Sequence, residues 1–173
     1  MGGHRSHPVI PNTLLFVCTG NTCRSPMAEY LCRQWLGEDS GWEVASAGIA
    51  AHPGMPASSL AIELLARHGI DLSGHRSRCL TSEEIDRARL IVVMTEMHRD
   101  VIGQRFPGAL KQVQVLTAFG PRSGGLRDIE DPMGGSLSAY QRTYDEIDAL
   151  LPDLVLYLHQ QFGAARREKR GKS

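Results

Sequence analysis

Short apolar runs alternate with amphipathic stretches along this chain, and the alternation predicts its elements. Leu14-Leu15-Phe16-Val17 is unbroken apolar sequence, as expected of a strand buried on both faces. After a polar loop, Pro26 to Leu36 carries helix formers with apolar positions at Met27, Leu31 and Trp35. Ser25 is expected as its N-cap, with Pro26 at the first helical position. Trp42 to Ser46 reads as a second strand. A helix from about Pro56 to His68 places Leu60, Leu64 and Leu65 on one face, with Gly69 just past its end. Thr81-Ser82-Glu83-Glu84 has a capping-box pattern and opens a short helix. Leu90 to Met94 is the clearest strand. A helix is expected from Glu96 to Phe106, a strand from Val113 to Leu116, and a last helix from Leu137 to Phe162 that Pro152 should kink or interrupt. Between them, Thr117 to Ser136 is rich in Gly, Pro and Asp and reads as a long functional loop.

Strands separated by helices imply right-handed crossovers, hence an α/β fold with a parallel sheet covered on both faces. Ligands of such sheets bind beyond the carboxyl ends of the strands. The first strand ends at Cys18, so the loop after it occupies that ground.

The length, 173 residues, suits one domain. We assign residues 13–163 to it, with 1–12 as an extension and 164–173 as a basic flexible tail. Lys and Arg number 19 against 19 Asp and Glu, so a nucleic-acid footprint is not indicated. No apolar run reaches the length of a membrane span. Four cysteines without a secretion signal suggest reduced thiols in a cytoplasm.

The chemistry concentrates in Cys18-Thr19-Gly20-Asn21-Thr22-Cys23-Arg24-Ser25. Gly, Asn and small polar residues let this backbone curl with its N–H groups inward, and such a nest beside a helix N-terminus binds anions. Arg24, six positions after Cys18, can then reach across the mouth and hold two phosphoryl oxygens at once. The N–H dipoles, Arg24 and the helix terminus should also lower the pKa of Cys18 from about 8.5 by several units and make it a nucleophile. Ser25 can donate to the sulfur. The Lys of a nucleotide P-loop is missing.

This segment, continued as VCTGNTCRSPMAE, resembles the signature of the low-molecular-weight protein phosphatases. Ser46-Ala47-Gly48, Gly74-His75-Arg76-Ser77-Arg78, Val93-Met94 and Asp131-Pro132 extend the resemblance over roughly residues 13 to 162. It implies a four-stranded parallel sheet flanked by helices, and two-step hydrolysis through a phosphocysteine on Cys18 with no metal or cofactor. Thr19, Gly20, Asn21, Thr22, Cys23 and Ser25 would bind the phosphoryl group. Asp131 is implied as general acid, although an Asp in a Gly-rich loop is by itself more often a turn former. Asn21, Ser46 and His75 match residues that support the loop. Cys23 either pairs with Cys18 under oxidation or packs as a small hydrophobe; Cys32 reads as core and Cys79 has no assigned role. Asp128 and Glu130 read as solvated.

Tyrosine-directed relatives commonly carry a bulky aliphatic residue where this chain has Thr22, aromatic residues after the Asp-Pro, and Met-Asp where it has Met94-Thr95. With Thr22 and Met133-Gly134-Gly135, the chain resembles the protein arginine phosphatases instead. Phosphorylated proteins are the expected partners, phosphoarginine the favoured group and phosphotyrosine the alternative. An arsenate reductase is the weaker rival, because the segment after the strand at Leu90 to Met94 lacks a thiol.

Overall fold

The computed structural model describes residues 12–121 and 127–163. Four parallel strands form the sheet in the order β2-β1-β3-β4: β1 (Asn12–Cys18), β2 (Trp42–Gly48), β3 (Ala88–Val93) and β4 (Val113–Val115). The helices are α1 (Arg24–Leu36), α2 (Ser59–Arg67), α3 (Ser82–Arg87), α4 (Glu96–Arg105) and α5 (Leu137–Phe162). Residues 1–11 and 164–173, which hold the extension and the basic tail, lie outside the described residues; Asn12 opens β1.

The central strand shows why its apolar run is unbroken. Leu14 and Phe16 face a core shared with Met27 and Leu31 of α1, Leu64 and Leu65 of α2, and Ile147, Leu151 and Leu154 of α5. Leu15 and Val17 face the opposite core, with Ile91 and Val93 of β3 and Ile102 of α4. Period-two alternation thus buries both sides of one strand. Fully buried residues such as Phe16 each contribute roughly 1.5–3 kcal/mol. This clamps the end of β1, and with it Cys18, in the middle of the sheet.

Several boundaries differ from the sequence reading. α1 begins at Arg24, not Pro26; Cys23 stands at its N-cap with no side-chain cap bond. α2 begins at Ser59, capped by the Ser58 hydroxyl, rather than at Pro56. β3 starts two residues early, at Ala88. Short 3₁₀ turns at Pro107–Gln112 and Leu116–Phe119 occupy stretches read as connection and loop. α5 runs through Pro152 without a break. Leu151 and Leu154 beside the proline are fully buried, so packing holds a helix that the proline alone would weaken. The capping box at Thr81 and Glu84 is present.

Candidate active site

The loop between β1 and α1 turns at the carboxyl end of the sheet, and Asn21 is its pivot. Among the described residues Asn21 alone is a non-glycine with positive φ, at 56°. That conformation costs a residue with a Cβ roughly 1–2 kcal/mol, least for Asn. The surroundings hold it in place. Asn21 Nδ2 donates to Ser25 Oγ and to Ser46 Oγ, each at 2.9 Å. Its Oδ1 accepts from the Arg78 N–H at 3.0 Å, and its carbonyl oxygen lies 2.8 Å from His75 Nε2. Ser46 in turn donates to the buried carboxylate of Glu29, which Arg33 pairs.

The end of β2 closes against the same loop. Ile49 and Ala50 donate their N–H groups to the carbonyls of Cys18 and Thr19 at 2.9 and 3.0 Å. A Cβ on Gly48 would lie 2.5 Å from the Thr19 carbonyl oxygen, so only glycine admits this approach. From the other side, the Ser58 N–H holds the Thr22 carbonyl at 2.9 Å. Among the described residues the N–H groups from Gly20 to Arg24 donate to no backbone carbonyl outside the helix, and that of Asn21 turns toward the Cys18 sulfur. The result is a rigid nest at the head of α1, suited to a tetrahedral anion.

Cys18 Sγ lies 2.9 Å from Ser25 Oγ. The Ser25 hydroxyl, the N–H groups of Ser25 and Asn21 and the charge of Arg24 all favour a thiolate, but burial pushes the thiol above its ordinary value and outweighs them. This corrects the expectation of a strongly lowered pKa, which weighed the dipoles and not the desolvation. Ser25 also departs from its expected place: its hydroxyl does not cap α1 but turns inward between Cys18 and Asn21.

Arg24 is 5% exposed and reaches the second half of the site. Its Nη1 donates to the Ile129 carbonyl at 3.1 Å and its Nη2 to Asp131 Oδ2 at 3.0 Å. Asp131 Oδ1 accepts from the Met133 N–H at 3.1 Å, and the Asp131 side chain remains 46% exposed. Arg24 thus ties the Cys18–Ser25 loop to Asp131, which is distant in sequence.

The family model described as low molecular weight phosphotyrosine protein phosphatase matches residues 13–166. The chain belongs to that family. It is accordingly a cysteine-dependent phosphatase enzyme. It is 42% identical over 146 residues to a protein-arginine-phosphatase of Geobacillus stearothermophilus, covering 84% of this chain and 95% of the relative. It is 40% identical over 147 residues to a "Probable low molecular weight protein-tyrosine-phosphatase EpsP" of Ralstonia nicotianae, covering 81% and 94%. The solved YwlE arginine phosphatase of Geobacillus stearothermophilus superposes with a TM-score of 0.79 at 41% identity, over 87% of this chain and 95% of that one.

Around this phosphatase site the structure adds His98 and Tyr140, which the sequence did not single out, and places several residues that it did. His98, with no exposed surface, lies with Nε2 2.8 Å from Thr19 Oγ1 and Nδ1 2.9 Å from Thr95 Oγ1. His98 and Ile102 are the buried residues of α4, four apart, and that spacing is the signal that the imidazole faces inward. Asp128 is not merely solvated: its Oδ1 accepts from the Glu96 N–H at 2.9 Å, at the start of α4. Cys23 is 3% exposed, with Sγ 3.3 Å from Tyr140 Oη and 3.4 Å from Ser58 Oγ. Tyr140 is pushed up to about 12, first by burial and then by its bond to Cys23. Burial likewise pushes Cys32 up to about 12, as a core thiol. Cys79 is exposed, with Sγ 2.9 Å from the Ala51 carbonyl. Among the described residues no helix is long and apolar enough to cross a membrane.

Proposed function

We propose that this enzyme removes phosphoryl groups from phosphoarginine in proteins, with Cys18 as nucleophile and Asp131 as general acid. The nest from Thr19 to Ser25 binds three phosphoryl oxygens, and Arg24 holds two of them in bidentate fashion. The Ser25 hydroxyl, the N–H groups of Ser25 and Asn21 and Arg24 favour the attacking thiolate and offset part of the cost of burial. The sulfur attacks phosphorus as the P–N bond breaks, and the leaving guanidine nitrogen takes a proton from Asp131. Asp131 then accepts a proton from the water that attacks the S–P bond. Phosphate leaves and Cys18 is restored, with Asp131 protonated again. Four free thiols go with a reducing, cytoplasmic setting.

The observation that carries the substrate assignment is Thr22. It sits on the loop, partly exposed, and among the described residues its hydroxyl has one hydrogen-bond partner, Cys23 Sγ, at 3.8 Å. That hydroxyl can accept from a planar guanidinium, whose donors would otherwise be buried unpaired at roughly 1–3 kcal/mol each. Asp131, half exposed beside Arg24, offers a carboxylate to the group. The relative named as an arginine phosphatase supports this reading.

Phosphate release from peptides identical except for phosphoarginine or phosphotyrosine tests it. The wild-type enzyme should prefer phosphoarginine, and Thr22→Ile should shift the ratio toward phosphotyrosine by about tenfold or more. A wild-type preference for phosphotyrosine, unchanged in Thr22→Ile, would overturn the assignment and leave the Cys18 chemistry standing.

A further inference from the structure

We propose that His98 is a positioning residue of this phosphatase, holding Thr19 at the start of the phosphate loop through a directed hydrogen-bond chain from Thr95. The proposal rests on the reading of the Cys18–Ser25 loop as the phosphoryl site and adds a part to it.

The chain's direction follows from its proton count. Thr95 Oγ1 accepts from the His98 backbone N–H at 3.1 Å, which caps α4. Its own single proton then needs an acceptor, and His98 Nδ1, 2.9 Å away, is the one described. A neutral imidazole that accepts at Nδ1 carries its proton on Nε2, which donates to Thr19 Oγ1 at 2.8 Å. The opposite tautomer would leave the Thr95 proton with no described acceptor. Thr19 therefore accepts from His98 and keeps its own hydroxyl proton free to donate elsewhere.

The environment keeps this imidazole neutral. Burial and the charge of Arg24 hold its pKa down at about 4, against the opposing pull of Asp128 and Asp131. A buried polar ring is costly unless its hydrogen bonds are made, and a leucine would fill the same volume without that demand. What the imidazole adds is a hold on Thr19. The Thr19 carbonyl is fixed by the Ala50 N–H at 3.0 Å, beside the end of β2, and its hydroxyl is fixed from α4 by His98. Thr19 is the residue next to the nucleophile. Freeing it on one side lets the first turn of the nest, and Cys18 with it, leave the geometry needed for attack.

The test measures kcat and KM with p-nitrophenyl phosphate, inhibition by inorganic phosphate, and thermal midpoints, on His98→Leu, His98→Gln, Thr19→Val and the His98→Leu/Thr19→Val pair. Cys18→Ser is the control. His98→Leu and Thr19→Val should each lower kcat about tenfold or more and weaken phosphate inhibition. The double variant should be no worse than the worse single, since both break one link. His98→Gln restores an N–H donor and should retain kcat within about threefold. Multiplying losses in the double variant, or wild-type kcat in either single one, would overturn the proposal. If His98→Leu does not fold, Thr19→Val and His98→Gln decide together: the first removes the whole hydroxyl and must lower kcat, while the second keeps the donor to it and must not. Activity surviving in Cys18→Ser would instead refute the loop reading beneath the proposal.

Discussion

Two loops supply the two halves of this site, and they are held in opposite ways. The Cys18–Ser25 loop is buried and fixed from several sides by Ser46, His75, Arg78, His98 and the end of β2. The Asp131 loop has its backbone pinned by the Ile129 N–H to the Met94 carbonyl at 2.9 Å and by Arg24, but its carboxylate stands half exposed. One half is a preformed anion cradle. The other is a pinned backbone carrying a half-exposed carboxylate that Arg24 and the Met133 N–H engage from either side. Arg24 belongs to both, since it stands at the end of the first loop and its guanidinium bonds Asp131 of the second. In the proposed mechanism a phosphoryl group on Arg24 would compete for that contact and release Asp131 to act as the acid.

The largest test of the cradle removes its nucleophile. Cys18→Ser should cost about 10⁴-fold or more in kcat/KM while leaving the fold intact, as steady-state rates and circular dichroism would show. On the Asp131 side, Asp131→Asn should lower kcat about 100- to 1,000-fold with a small change in KM. The deficit should shrink for a substrate with a highly acidic leaving group, which needs no proton. An equal loss on both kinds of leaving group would show that Asp131 is structural.

Smaller effects should separate the cradle's geometry from its chemistry. Gly48→Ala places a Cβ against the Thr19 carbonyl and should cost about tenfold to a hundredfold in phosphate affinity, read by inhibition constants. Ser25→Ala removes the hydroxyl that steadies the thiolate. The pH midpoint for alkylation of Cys18 should then move upward, because burial is left less opposed.

His98 supplies the mildest test, through stability. Its folded pKa is lowered from 6.5 to about 4, so between these values the unfolded chain binds the extra proton. The contribution is complete above pH 6.5 and is lost as pH falls toward 4, at up to about 1.4 kcal/mol per pH unit. Urea titrations at pH 7 and pH 5 should show a larger loss for the wild type than for His98→Gln.

Much of this was legible in the chain because the signals are local. The run at Leu14–Val17, the capping box at Thr81 and the spacing from Cys18 to Arg24 each fit within one element or loop. What was missed depends on distant partners. Ser25 looks like an N-cap until the Asn21 amide and the Cys18 sulfur claim its hydroxyl. His98 gains meaning only when α4 brings it to Thr19, and Gly48 only when β2 lies beside β1. The pKa of Cys18 departs from the motif-based expectation for a related reason. Dipoles and charges can be read from a motif, whereas burial is a property of the packed molecule.

The most direct test of the central claim is rapid-quench mapping of the enzyme during turnover of a phosphoarginine peptide. A single phosphoryl group on Cys18, appearing in a burst and decaying with turnover, is the expected result. Turnover without any enzyme-bound phosphoryl group, or with the group on another residue, would contradict it.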